Sequence, residues 1–140
     1  MRHLESKIKR AIVAKLEIVD DILESIEKLA KDYSIANATF IAIGAVGKAK
    51  LGYWKNGKYS SREFNQQMEI VSCMGNILLK NGEPLVHGHI AVSDSNMQSF
   101  GGHLFEGCTI SVTGELFVFE LTSEISRSLD EQTELYLMDI

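Results

Sequence analysis

The chain has 140 residues, of which 45% are hydrophobic and 24% charged, with a formal net charge of −5. This length fits one domain with one core, so we expect a single domain over residues 1–140. The composition excludes a disordered arm, and the acidic balance with scattered lysines and arginines argues against the basic surface of a nucleic-acid-binding protein.

The first residues, the apolar runs and the cysteines together indicate the cellular compartment. Residues 1–21 are interrupted by charge every few positions, so they lack the apolar region of a secretory signal peptide. No uncharged run is long and apolar enough to cross a bilayer. Cys73 and Cys108 show neither zinc-ribbon nor redox-motif spacing, and we expect two reduced core thiols. The sequence therefore predicts a cytoplasmic protein without a membrane span.

One strand and one helix open the chain. Residues Ala11–Leu16 alternate as a strand does, and the period then changes. From Ile22 to Tyr33 apolar residues repeat at helical spacing. Asp20 and Asp21 stand before this run and suit the positive N-terminal end of a helix. This is the only helix that the pattern predicts.

The rest of the chain consists of short β-branched and aromatic runs, which predict a domain that is mostly sheet. Asn56-Gly57 and Asn81-Gly82 are typical of tight type I′ hairpin turns. The glycines of "IGAVG" (43–47) lack the further glycine of a dinucleotide fingerprint, and we expect them to be strand ends and a turn. The predicted strands are 38–45, 49–54, 58–64, 68–79, 85–92 and 109–121, with an edge strand over 133–140.

Three of the four histidines lie between residues 87 and 104. His87 and His89 are two apart on a predicted strand, so both side chains leave one face, about 6.6 Å apart. Residues 93–102 look like a loop, and we expect Gly101-Gly102 to turn the chain so that His103 returns beside the pair. A zinc ion at about 2.0–2.1 Å from each nitrogen would then have three protein ligands and one open position.

The histidines also have a simpler interpretation. A His-x-His pair on a strand is often a polar sheet face, and a histidine after two glycines is often a turn residue. The clustering of three histidines favours a metal site, and three ligands with an open position resemble a catalytic centre more than a closed structural one. Nitrogen ligation suits zinc, nickel, iron or copper and does not choose among them.

Glu115 is a candidate catalytic residue. On a strand that starts at Thr109, its side chain shares a face with Ser111 and Thr113. A carboxylate that faced the histidines would orient a ring N–H or act as general base on metal-bound water. The alternative is an exposed glutamate in a cross-strand charge pair. A serine hydrolase triad and a phosphate-binding loop are both unsupported.

Four segments together resemble the Plants and Prokaryotes Conserved domain, abbreviated PPC, in its prokaryotic single-domain type. The resemblance runs from Lys9 to Ile140. The segments are "IGAVGKAKLGYW", "MEIVSCMGNILLKNGEPLVHGHIAV", "GGHLFEGCTISVTGE" and "RSLDEQTEL". Their most specific parts are Gly75-Asn76, His87-Gly-His89, Gly101-Gly102-His103 and Glu115.

The resemblance implies an α+β domain with a curved, mainly antiparallel sheet packed against one main helix. It implies a divalent metal, with zinc as the expected ion, bound by His87, His89 and His103 as in several prokaryotic relatives. Acetolactate decarboxylase, whose fold the PPC domain resembles, has a similar histidine arrangement. We expect a small anionic ligand at the open position of the metal.

The resemblance also implies a homotrimer. A single helix leaves part of the sheet uncovered, and we expect this surface to be buried between subunits. The apolar residues expected there include some of Phe117, Val118 and Phe119.

The family is usually described as DNA-binding, and here the chain departs from its plant members. They contact DNA largely through an AT-hook built on Arg-Gly-Arg-Pro, whereas this chain has the single proline Pro84 and no such segment. Their Gly-Arg-Phe-Glu-Ile core is replaced by Gln67-Met68-Glu69-Ile70. A trimer would carry three times −5, or −15. Such a charge opposes a phosphate backbone, so direct DNA binding is doubtful.

Three functions stay open at this point. The first is a trimeric metal-binding PPC protein whose DNA-associated or regulatory role rests on the family description. The second is a metal-dependent lyase or hydrolase acting on a small carboxylic or carbonyl compound. The third is a binding module for a small molecule or a protein. Glu115 facing an open metal position would favour the second, and a filled or absent metal site with a large apolar groove would favour the third.

Overall fold

The computed structural model describes all 140 residues, with one helix and nine strands. The helix α1 spans Ile22–Asp32. The strands are β1 (Ile8–Leu16), β2 (Ala38–Lys55), β3 (Lys58–Phe64), β4 (Met68–Lys80), β5 (Glu83–Ser93), β6 (Ser99–Leu104), β7 (Thr109–Leu121), β8 (Ser126–Asp130) and β9 (Leu135–Asp139). The predicted fold class, a mainly antiparallel sheet with one main helix, is confirmed.

Helix α1 begins where Asp21 caps it. The Asp21 carboxylate accepts hydrogen bonds from the backbone N–H groups of Leu23 and Glu24 at 2.9 and 3.2 Å. Its second oxygen accepts a bond from the Gly107 N–H at 2.7 Å, which ties the helix to the loop before β7. The residues that face the core recur at helical spacing and are fully buried: Ile22, Ile26 and Ala30. α1 lacks the length and the apolar character of a membrane-crossing helix.

Strand β2 organises the sheet. Its first half pairs with β4 on one edge and β7 on the other, and its second half pairs with β3 and β6. Since β4, β5 and β6 pair in succession, β6 leads back to β2 and the sheet curls on itself. The one parallel pairing is that of β8 with β4, through Leu79 and Ser126.

The prediction of two strands, 38–45 and 49–54, was wrong, because residues 38–55 form the single strand β2. The glycines of "IGAVG" lie inside β2, next to shifts in its pairing register. Gly44 has a φ of 141°, and a Cβ there would lie 2.1 Å from the Thr113 carbonyl oxygen of β7. Glycine therefore lets β2 bulge and bend beside β7 without ending.

The remaining predictions of turns, strands and loops were confirmed in some cases and wrong in others. The two Asn-Gly turns are confirmed, since Asn56, Gly57, Asn81 and Gly82 all have positive φ. The closing edge strand is confirmed as β9. The loop predicted over residues 93–102 was too long, because β6 begins at Ser99. Strand β8 was not predicted.

The face of the sheet opposite the core is partly uncovered. Direct cross-strand partners share one face, and one such row runs from β1 to β6. It consists of Val13, Phe117, Ile41, Met74, His89 and His103. The exposed apolar residues on and beside this row are Val13, Ile41, Ile43, Val71, Met74 and Val112. Of the three residues from which this surface was expected to draw, Phe117 lies in the row, whereas Val118 is fully buried in the core.

Candidate metal centre

Three histidines meet on the neighbouring strands β5 and β6. His87 and His89 leave the same face of β5, and His103 on β6 is the direct cross-strand partner of His89. Their ring centroids are 5.3 Å apart for His87 and His89, 5.2 Å for His87 and His103, and 5.7 Å for His89 and His103. One ligand nitrogen from each ring lies within 4.8 Å of the other two. The structure thus brings the three predicted ligands together.

The glycines before His103 act differently from the prediction. Gly101 and Gly102 do not form a turn, because both lie in β6 opposite Ala91 and Ile90. A Cβ at Gly102 would lie 2.5 Å from the carbonyl oxygen of Gly52 on β2. Glycine is needed here because two backbones approach closely, and this approach places His103 opposite Gly52.

The donor set fits a zinc-type ion. Burial lowers the pKa of His87, and the charges of Arg127 and His89 lower it further. Burial, with the charges of His87 and His89, lowers the pKa of His103 to about 4. Both rings are therefore neutral at pH 7, which is the form that binds a metal. Zinc with nitrogens at about 2.0–2.1 Å would need these ligand atoms closer together than 4.8 Å, so the rings would have to close on the ion.

Two aromatic side chains orient His103. The Tyr59 hydroxyl lies 3.5 Å from Nδ1 of His103, and the two ring centroids are 4.9 Å apart. The Phe105 ring lies 5.0 Å from the imidazole on another side. Such contacts limit ring rotation and direct the remaining nitrogen toward the other histidines.

Arg127 of β8 holds the opposite side of the cluster. Its Nη2 donates to Oδ1 of Asn76 at 2.7 Å and lies 3.2 Å from Nδ1 of His87, while its Nη1 donates to the Tyr136 carbonyl at 2.9 Å. A guanidinium has no acceptor, so this contact occupies the Nδ1 lone pair of His87. If His87 bound a metal through Nε2, its ring proton would lie on Nδ1. Arg127 would then release His87 and keep its bonds to Asn76 and Tyr136.

A cavity of about 240 Å³ opens beside the cluster. His87 and His103 are among the residues that line it, together with Lys80, Arg127 and Tyr59. The cluster is therefore reachable from outside by a small molecule.

Glu115 does not join the histidines. It is exposed on β7, where its direct partners are Lys15 of β1 and Ile43 of β2. Strands β2 and β4 separate it from β5, which amounts to about 14 Å across the sheet. Within one chain Glu115 is too far away to orient a histidine ring, and Lys15 makes it a candidate for the alternative cross-strand charge pair.

Sequence reasoning missed Arg127, Lys80, Tyr59 and Tyr136. Arg127 and Lys80 lie in two of the segments that resemble the family, but the resemblance gives neither of them a role, and the contacts of all four residues depend on how distant segments pack. The one usable signal was Asn76 in the Gly-Asn pair, because the structure places it opposite His87.

The cysteines are not ligands. Cys73 and Cys108 are buried and unpaired. Burial raises the pKa of Cys73 to about 12 and that of Cys108 to about 11. Both are therefore thiols at pH 7, whereas a metal binds the thiolate.

The family model of the Plants and Prokaryotes Conserved (PCC) domain matches residues 3–122. A solved metal-containing protein from Archaeoglobus fulgidus is 31% identical, with 98% of each chain covered and a TM-score of 0.88. A PPC protein from Pyrococcus horikoshii is 26% identical, with 100% of this chain and 99% of that chain covered and a TM-score of 0.89. A protein from Bacteroides thetaiotaomicron, provisionally described as DNA-binding, is 26% identical, with 96% of each chain covered and a TM-score of 0.88.

A curated relative is much longer than this chain. The bifunctional protein GlmU from a Synechococcus strain is 28% identical over 125 residues, which are 86% of this chain and 19% of that protein. The chain thus spans about a fifth of the length of this relative.

Proposed function

The chain belongs to the Plants and Prokaryotes Conserved domain family, and on this basis we propose that it is a metal-binding protein in which His87, His89 and His103 hold one divalent ion. Zinc is the expected ion. The observation that carries the proposal is the meeting of three imidazoles from two strands, with ligand nitrogens within 4.8 Å of one another. No other cluster of histidine, cysteine or carboxylate side chains competes with it.

Two further observations support this proposal. The solved protein from Archaeoglobus fulgidus that is similar to this chain is described as metal-containing. Three protein ligands also leave zinc a fourth position for water or a small anionic ligand, as in catalytic zinc sites. A bound ion would supply Lewis acidity and a more acidic water.

Calorimetry with zinc and nickel tests the site. We expect one ion per wild-type chain, and a loss in His89→Ala larger than the roughly 10–100-fold that removal of an outer-shell partner costs. His3→Ala is the matched control, because His3 is exposed and lies outside the cluster. Equal affinities of wild type and His89→Ala would reject the site. Unfolding of His89→Ala would make the ion structural instead.

We also propose that the chain forms a homotrimer through the uncovered sheet face. The row from Val13 to His103 places apolar side chains and the histidines on one continuous face, so a partner that buried the first would border the second. Exposed apolar patches of this kind mark association surfaces.

Light scattering at micromolar concentration tests the assembly. We expect about three times the chain mass of 15.6 kDa. Ile41→Asp should dissociate the trimer. Met97 is exposed outside this face, so Met97→Asp should leave the trimer intact. A stable wild-type monomer would contradict the proposal.

Direct DNA binding is expected to be weak, although a relative from Bacteroides thetaiotaomicron is provisionally described as DNA-binding. The net charge of −5 per chain opposes a phosphate backbone. Nonspecific dissociation constants of about 10⁻⁴–10⁻⁶ M at physiological salt are the expected range. A mobility-shift titration that gave sequence-specific nanomolar binding would overturn this expectation.

A second candidate function is that of a metal-dependent lyase or hydrolase acting on a small carboxylic or carbonyl compound. The cavity beside the histidines favours it, because a ligand there would reach the open metal position. A general-base role for Glu115 would require the site of a neighbouring subunit, given its distance within one chain. A screen of small carboxylic and keto acids with zinc-loaded protein tests this candidate. Binding without turnover would leave the third function, that of a binding module.

A further inference from the structure

Arg127 is a buried cation without a counter-ion. Its relative exposure is 9%, and it takes part in no ion pair. Its three polar neighbours are the amide of Asn76, the imidazole of His87 and the Tyr136 carbonyl, and none of them is an anion. Its Nε is fully buried and has no hydrogen-bond partner.

The other buried charge of this chain is treated differently. Glu120 is 4% exposed and is paired with both Lys9 and Arg10. Buried charges are normally paired in this way, because removing an ion from water is costly. The unpaired Arg127 therefore indicates that its anion comes from outside the chain.

The cavity beside Arg127 has room for such an anion. Its volume of about 240 Å³ corresponds to about eight water molecules and lies just below the usual size of ligand pockets. Lys80 adds a second cation to the wall, with its Nζ 3.8 Å from the centre of the Tyr136 ring. The apolar part of the wall includes Leu85, Val86 and Leu135.

We propose that this cavity binds a small carboxylate whose counter-ion is Arg127. The Nε and Nη2 atoms form one edge of the guanidinium, and such an edge binds a carboxylate through two parallel hydrogen bonds. Nε has no partner but is closed off from solvent, so a small movement of Arg127 has to turn this edge into the cavity. Nη2 gains a free N–H when His87 takes a metal. A single carboxylate with a short apolar body matches one buried cation and an apolar wall better than a phosphate dianion does.

The carboxylate and the metal bind cooperatively. A divalent ion and the guanidinium repel each other, and an anion between them offsets this repulsion. Each ligand should therefore raise the affinity of the other by the same factor. This coupling rests on the proposed metal site, whereas in metal-free protein the carboxylate binds more weakly, with the Nε–H of Arg127 as its one free donor on this edge.

Calorimetry with pyruvate, acetate and inorganic phosphate tests the inference, on metal-free and on zinc-loaded protein. We expect pyruvate to bind metal-free wild type and to bind tighter with zinc. Arg127→Gln should lower the affinity for pyruvate about 10- to 100-fold, because hydrogen bonds to a charged group are lost. Arg62→Gln removes the same charge from an exposed site outside the cavity and should bind pyruvate like wild type.

A zinc titration separates this role from that of a support for the histidines. Without an anion, Arg127→Gln should bind zinc as tightly as wild type or tighter, because the repulsion between the guanidinium and the ion is gone. Addition of pyruvate should no longer raise the zinc affinity of this variant. If Arg127→Gln does not fold, Arg127→Lys keeps the charge but not the planar edge, and should weaken pyruvate about tenfold.

Several results would overturn the inference: no pyruvate binding to wild type, unchanged pyruvate affinity in the Arg127 variants, or phosphate binding without pyruvate binding. Pyruvate binding without zinc binding would reject the proposed function and leave the carboxylate site standing.

Discussion

The two sides of the candidate site are anchored in different ways. The histidines lie on β5 and β6, and β5 is paired along its length with β4 and along its second half with β6. Arg127 lies on β8, which joins the sheet through one residue pair with β4 and otherwise pairs only with β9. We call residues 83–104 the histidine side and residues 126–139 the hairpin side.

This difference matches what each side would have to do. A metal requires fixed ligand distances, and on the histidine side the pairing register sets them. Binding of a small carboxylate does not require ligand distances as fixed as those of a metal. The hairpin side has few backbone pairings to the rest of the sheet, so its side chains can move to fit such a ligand. The family model also ends at residue 122, before the hairpin side begins.

The largest expected effect comes from disturbing the histidine side at Gly102. In Gly102→Ala the new Cβ would lie 2.5 Å from the Gly52 carbonyl oxygen, so the backbone of β2 or β6 must move. We expect a loss of about 1–3 kcal/mol in the free energy of unfolding, together with weaker zinc binding, because His103 is the next residue.

Gly101→Ala is the matched control for this experiment. A Cβ at Gly101 meets its nearest atom at 3.5 Å, an ordinary contact, so the change should stay within about 0.5 kcal/mol. Urea unfolding and zinc calorimetry measure both quantities. Equal losses in the two variants would show that the close approach of β2 does not hold the histidine side in place.

The next effect concerns motion. Amide hydrogens of β5 that bond to β4 should exchange only through global opening, whereas those between β8 and β9 should exchange faster by about a hundredfold or more. Hydrogen exchange followed by mass spectrometry of peptides from each side measures the ratio. Pyruvate should slow exchange on the hairpin side, and equal protection of both sides without ligand would break the comparison.

Much of the histidine side could be predicted because it depends on local pattern. His87 and His89 are two residues apart on a strand, and this spacing alone puts them on one face. Asp20 and Asp21 were predicted to stand at the helix start from their residue type and the apolar period that follows, and Asp21 is the N-cap. The Asn-Gly pairs set the hairpins in the same local way.

The rest could not be predicted because it depends on close approach between distant segments. Gly44 and Gly102 looked like turn residues, and only the neighbouring backbones of β7 and β2 show why glycine is needed. Arg127 meets residues that are 51 and 40 positions away, Asn76 and His87. The residue spacing within "ISRSLD" (125–130) does not predict those contacts.

A smaller effect is the pH dependence of the histidine side. His103 has a pKa of about 4 in the fold, whereas an exposed histidine has a pKa of about 6.5. Between these values the unfolded chain binds a proton that the folded chain does not, so the stability of metal-free protein should fall as pH falls from 6.5 to 4. His103 also stays available to zinc over this range, so acid should release zinc below pH 6.5. Zinc titrations and thermal unfolding from pH 4 to 7.5 measure both, and half-release above pH 6.5 would contradict the low pKa.

The smallest effect is expected at the hydroxyl of Tyr59. Its 3.5 Å distance from Nδ1 of His103 is long for a hydrogen bond, whereas the ring contact at 4.9 Å is close. Tyr59→Phe keeps the ring and should therefore lower zinc affinity by less than the roughly tenfold that loss of a strong outer-shell partner costs. Tyr59→Ala removes the ring as well and should cost more, while Tyr53→Phe alters an exposed hydroxyl on the adjacent strand and should cost nothing. If Tyr59→Phe lost as much zinc affinity as Tyr59→Ala, the hydroxyl and not the packed ring would orient His103.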